Sequence, residues 1–302
     1  MIKISYSRHN VYSTSPRAYY LQHILKLVPD MYKGAFILGN CFDEAVGEPS
    51  KTGDVEAAVE IFKEQFKAFD TYFGVLDARS SKKIKWTKTE GDPNEWYDWK
   101  GELAVRSYFE QVVPHFDEVL DVQTKIMIED DTGNLIRGFA DKIVRWKQDP
   151  TLENYNPDLD QWNGKVILFD DKFSTMKYTI PDSEQLATYS QDPNIPYEID
   201  ACGYIVVPKK FRTKKEPLVP IKITIDKVLP ETVQSVFEGY AKTIEGIRLG
   251  KFDCTGCDNN PFGCDYKNYC ASGGTNTKGL VCIDGKTKKS NYDKVGEKNK
   301  KA

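Results

Sequence analysis

Apolar and polar positions change period partway along the chain. Through residues 1–80 apolar side chains recur mostly at helical spacing, and beyond about residue 117 they alternate. The first regime predicts a helix through "RAYYLQHIL" with Pro16 at its opening turn, a second through "GNCFDEAV" and a third through "DVEAAVEIFKEQFKAF". "TEGDPNEWYDWKGE" interrupts the period with Gly and Pro and predicts a loop, after which "ELAVRSYFEQVV" returns to helix. In the second regime "EVLDVQTKIMIE" and "LIRGFADKIVRW" alternate on either side of Asp130-Asp131-Thr132-Gly133-Asn134, which predicts a hairpin. A polar loop leads to a buried strand in "KVILFDD". Then come a short helix in "SEQLATYSQ", strands in "IDACGYIVVP" and "PLVPIKITIDKV", and a helix in "ETVQSVFEGYAKTIEGIRLG" that Gly250 would stop. The expected divisions are a helical part at 1–115, a core at 116–250, a cysteine-rich segment at 251–275 and a Lys-rich, mobile tail at 276–302.

The 302 residues and 40% hydrophobic content suffice for one large domain, and 12% aromatic content argues against disorder. A formal net charge of −3 announces no global nucleic-acid surface, although 42 Lys and Arg leave room for a local one. The opening "MIKISYSRHN" lacks the apolar stretch of a signal peptide, and no apolar run is long enough to span a bilayer. A soluble cytoplasmic protein with no membrane partner is expected. Its seven cysteines are then free or metal-bound rather than paired.

Chemistry concentrates in three short motifs, taken in order. Gly138 and Asp141 form G-x-x-D in the hairpin, Asp170 and Lys172 form D-x-K at the end of the buried strand, and Gln185 and Tyr189 lie four apart on one helix face. D-x-K also occurs at Asp265 and at Asp284, but neither follows a buried strand. A solvated strand end would account for Asp170 alone; it accounts poorly for the ordered set. Two carboxylates on neighbouring strands can hold a hard divalent cation such as Mg²⁺ through oxygen. Such a cation lowers the pKa of a bound water and neutralises phosphate charge. Strand alternation puts Asp170 and Lys172 on one face and turns Asp171 to the other. Lys172 can then orient or help deprotonate the attacking water and stabilise the charged transition state. Asp171 is expected to be structural, and its removal mild.

The order strand, hairpin, D-x-K and a helix bearing Q-x-x-x-Y resembles the PD-(D/E)XK nuclease superfamily, in its RecB-like exonuclease branch, which includes CRISPR-associated adaptation nucleases and phage exonucleases. "SYSRHNVYSTSPRAYYLQHI" is similar to that branch's N-terminal opening, and "LGNCFDEAV" to its G-x-x-x-H helix, with Asp43 where the branch has His. The resemblance implies a restriction-endonuclease-like mixed sheet flanked by helices. It also implies a Mg²⁺ or Mn²⁺ site on Asp43, Asp141 and Asp170, with Lys172, Gln185 and Tyr189 beside it. Cys254, Cys257, Cys264 and Cys270, spaced C-x2-C-x6-C-x5-C, form a clasp motif. Spacing alone suits tetrahedral Zn²⁺, whereas the resemblance favours a four-iron–four-sulfur cluster. The branch often draws one cluster cysteine from the N-terminal segment, where this chain has Ser15.

Arg8, Arg17 and the basic stretch with Lys209, Lys210 and Arg212 could meet phosphates. His9, His23 and His115 show no catalytic spacing and are expected on the surface. The expected α/β protein is a metal-dependent DNA nuclease, an exonuclease on single strands or ends in recombination, replication or repair. A recombinase, helicase or replication protein is its natural companion. The rival is a nuclease-fold DNA-binding module with weak chemistry inside a larger assembly.

Overall fold

The computed structural model describes residues 1–77, 83–88, 90–209, 218–254 and 264–282. Its centre is a mixed six-stranded sheet flanked by helices. The strands are β1 (Lys3–Ser5), β2 (Phe116–Glu129), β3 (Leu135–Trp146), β4 (Val166–Phe173), β5 (Ala201–Val207) and β6 (Lys222–Asp226). The hairpin β2–β3 forms as its pattern requires. Asp130 Oδ1 accepts from the backbone N–H groups of Thr132 at 2.9 Å and Asn134 at 2.8 Å, and Gly133 supplies φ 74°.

β3 is longer than β1 and β4, which share its other edge, and so it forks. Residues 135–137 pair in parallel with β1, whereas 142–145 pair antiparallel with β4. Asp141 lies between those two stretches. β4 runs parallel to β5, which is antiparallel to β6. Strand β1 lies inside a region expected to be helical. It is too short to show a period of its own, and it exists because β3 offers it an edge.

Helices cover both faces. On one side lie α1 (Tyr6–Thr14), α5 (Glu184–Tyr189) and α6 (Pro230–Arg248). On the other lie α2 (Gly34–Val46), α3 (Val55–Phe73) and α4 (Gly101–Gln111). Ile37, Phe42, Phe62, Phe66 and Tyr108 from these last three pack in one cluster with Val144, Trp146, Ile167, Phe169 and Ile205 of the sheet. The segment expected as a loop before α4 is partly helical over Pro93–Glu95 and Trp96–Lys100, because Trp96 is fully buried and Pro93 sits at a helix start. "RAYYLQHIL" forms only the short helical turn Pro16–Tyr19, followed by a wider turn at Tyr20–Ile24. Among the described residues no helix is long and apolar enough to cross a membrane.

Candidate active site

β4 does not stop at its charged residues. Its ladder with β5 continues through Asp170, Asp171, Lys172 and Phe173, opposite Tyr204, Ile205, Val206 and Val207. The charges are therefore held on a strand with a partner, inside the sheet. Alternation then sorts them. Leu168 packs in the cluster with Leu186 and Tyr189 of α5, whereas Phe169 and Phe173 pack with Phe42 and Tyr108. Asp170 and Lys172 follow the first set and Asp171 the second.

On the α5 side the three motifs meet. Lys172 Nζ contacts Asp170 Oδ2 in an ion pair and donates to Gln185 Oε1 at 3.3 Å. Gln185 Nε2 in turn donates to Asp170 Oδ1 at 2.8 Å. The amide of Gln185 thus bridges carboxylate and ammonium and fixes both. Ser183 caps α5 by accepting from the Leu186 N–H at 3.2 Å and also bonds Tyr204 at 2.6 Å, which locks the helix to β5. Tyr189, four residues after Gln185, lies against Gly138. A Cβ on Gly138 would come within 2.5 Å of the Tyr189 oxygen, which is why G-x-x-D needs its glycine.

Asp141 reaches across the fork, and its Oδ2 accepts from the Asp171 backbone N–H at 2.8 Å. The ladder beside it is irregular. Val122 pairs with Lys142 and Thr124 with Ala140, while Gln123 between them, opposite Asp141, has φ 51°. A non-glycine residue in that region is strained, and such strain collects at functional sites.

On the other side Asp171 pairs with Lys142, both buried, and the Tyr108 hydroxyl donates to the Asp171 carboxylate at 3.2 Å. Asp43, on α2, feels the charges of Asp171, Lys142 and Asp170. Asp171 faces away from Asp170 in a structural position, as expected, but a buried ion pair is at odds with the expectation that its removal is mild. It anchors a buried ion pair beneath the site, a role invisible without knowing that Lys142 faces it.

Asp43, Asp141, Asp170 and Asp171 stand against Lys142 and Lys172, so carboxylates are in excess. Burial, then Asp171, pushes Asp43 up to about 7. Burial, then Asp170 and Asp43, pushes Asp141 well above the usual carboxylate range. Burial raises Asp170 despite Lys172. Burial pulls Lys172 down, but the charge and hydrogen bond of Asp170 overcome it and hold the ammonium above the ordinary lysine value. Lys172 is therefore held as a cation in this arrangement. Burial, then Asp170 and Asp141, pushes Tyr189 up to about 12.

A divalent cation suits this donor set. Buried, mutually repelling oxygens gain most from a positive charge, which at Asp170 Oδ2 is supplied by the Lys172 ammonium. Among the described residues, no three His, Cys, Asp or Glu side chains converge at ligating distance in the present arrangement, in which the Lys172 ammonium lies on Asp170.

The pattern did not point to Tyr178 and Tyr204, whose rings lie 5.8 Å from Lys172 Nζ, or to Gln123. A tyrosine amid the apolar run of β5 was the one available signal. Lys209 Nζ lies 5.7 Å from the Phe173 ring, and burial lowers its pKa against the pull of Glu90 and Asp43, so this lysine borders the site. Arg8 is half-buried on α1 and Arg17 lies 5.4 Å over the Tyr20 ring. Lys210, Arg212 and Cys257 lie outside the described residues. Cys254 is exposed, and Cys264 and Cys270 are half-buried. His9 and His115 are buried, contrary to expectation, because each finds a partner inside: His9 a threonine hydroxyl, His115 the Trp146 ring at 5.2 Å.

No protein-family model matches this chain, and no curated protein matches it.

Proposed function

We propose that this chain is a divalent-metal-dependent DNA nuclease of the PD-(D/E)XK type, acting as an exonuclease on single strands or ends. One observation carries the reading: the bridge in which Gln185 ties Asp170 to Lys172 beside Asp141, at the fork of the sheet. A shared reaction would require the three sequence motifs to converge in this way.

Asp141 and Asp170 would hold Mg²⁺ or Mn²⁺, with Asp43 contributing from α2. The cation would supply an activated water and neutralise the scissile phosphate. Lys172, held cationic, stabilises the negative charge that builds on the phosphate oxygens. Gln185 orients Asp170 and Lys172. Tyr189 walls the site, its phenol neutral at working pH, and Tyr178 and Tyr204 keep water from the Lys172 ammonium. Cys254, Cys257, Cys264 and Cys270 would form the structural clasp, around iron–sulfur or zinc.

The binding-module reading draws its own support from the Lys172–Asp170 contact. Release of label from single-stranded DNA with and without Mg²⁺ or Mn²⁺ separates the two. The nuclease reading expects metal-dependent release that Asp170→Ala abolishes and Lys172→Ala lowers by roughly two to four orders of magnitude. Cleavage by Asp170→Ala at the parental rate would end it.

A further inference from the structure

Along the hairpin the sheet is covered on one face but only partly on the other. In the hairpin, Ile126, Ile136 and Ala140 point to the α5 and α6 side and are buried. So does Ile4 of β1. Alternation turns Lys3, Lys125, Arg137 and Phe139 to the opposite face. There the helices α2, α3 and α4 no longer reach, and all four are exposed, with Phe139 at 53%.

These residues form a connected strip. Lys125 and Phe139 are direct cross-strand partners. Arg137 lies two positions on, and its β1 neighbour is Ser5, two residues from Lys3. The strand that carries Phe139 and Arg137 also carries Asp141. At the rise of an extended strand, Arg137 lies about 13 Å from Asp141. Among the described residues, Lys3, Lys125 and Arg137 make no ion pair. Glu129, opposite Leu135, lies diagonal to Arg137 but forms no ion pair with it among the described residues. An exposed aromatic among cations with no carboxylate partners is poorly explained as a solvated sheet face. It is what a polyanion with free aromatic faces would find: charge for its phosphates and a ring for a base.

We propose that this strip binds a single strand of DNA on the sheet face opposite Gln185, with Phe139 stacking on a base and Lys3, Lys125 and Arg137 on the backbone. The identity of the polymer rests on the nuclease reading above; the existence of the binding face does not. A duplex hides its base faces within the stack, so Phe139 serves the single strand only.

The test is fluorescence anisotropy with a labelled dT20 in EDTA, where no cleavage intervenes. Phe139→Ala should weaken binding about tenfold, Phe139→Trp should retain it, and neither should change affinity for a blunt duplex. Lys125→Ala with Arg137→Ala should flatten the log–log salt dependence by about 1.4, two single-strand phosphates' worth. All four positions are exposed, and circular dichroism checks that the fold persists. Parental dT20 affinity in these variants overturns the proposal, as does an equal loss on duplex. The two readings fail separately. If the parent cleaves with metal while the strip variants bind normally, the strip falls and the nuclease stands. If the parent never cleaves yet loses dT20 when the strip is altered, the nuclease falls and the strip stands.

Discussion

Replacing Asp171 with Ala would leave the Lys142 ammonium in the core with no counter-charge. The side chains of that pair are only 1% and 2% exposed, so water cannot compensate. Removing one partner of such a pair costs about 3–5 kcal/mol, whereas replacing both with apolar groups is often near neutral. Urea denaturation should therefore show Asp171→Ala strongly destabilised, with much of the loss recovered by adding Lys142→Met. If Asp171→Ala unfolds at the parental midpoint, the ion pair is not the anchor described. Asp170 differs although it is the adjacent residue, since its partners Lys172 and Gln185 are only partly buried. Strand alternation sorted these two aspartates from sequence alone. What each one touches was not legible, because Lys142, Tyr108 and Gln185 come from other elements.

At the level of elements, the seam between α1 and α6 has a pH signature. His9 Nδ1 lies 2.8 Å from Thr243 Oγ1 and its ring 4.5 Å from that of Tyr240, and burial lowers its pKa. The folded state thus binds the proton less readily than the unfolded chain. The stability this contributes is whole above the ordinary imidazole value of about 6.5 and is lost as pH falls from there toward the depressed folded value. Asp43 acts in the reverse sense. Its folded pKa is raised to about 7, so the stability linked to its protonation is whole below the ordinary carboxylate value and is lost as pH rises through about 7. The two trends oppose each other, and only a difference isolates His9. The gap in stability between the parent and His9→Gln should narrow between pH 7.5 and 5.5; a constant gap would contradict the assignment. Neither the burial of His9 nor the fork in β3 could be read from periodicity, since both depend on which distant element arrives alongside.

For the whole molecule, the clasp offers a direct test. If Cys254, Cys257, Cys264 and Cys270 bind one metal centre per chain, elemental analysis should find iron with sulfide, in a brown protein, or zinc in a colourless one. Cys264→Ser should then lower the melting temperature, because metal binding is coupled to folding. Finding neither element would dismiss the clasp. By itself the sequence determined the β2–β3 hairpin, the principal helices, the buried strand bearing Asp170 and Lys172, and the order of the three motifs. All of these follow from period and turn chemistry, which act between near neighbours. Only the tertiary structure decided that Gln185 bridges Asp170 to Lys172, that Gly138 makes room for Tyr189, that Asp171 is an anchor and that Lys125, Arg137 and Phe139 are left exposed on one face of the hairpin. Those outcomes depend on contacts between residues far apart in the chain, whose charges and volumes constrain one another only after the strands have paired.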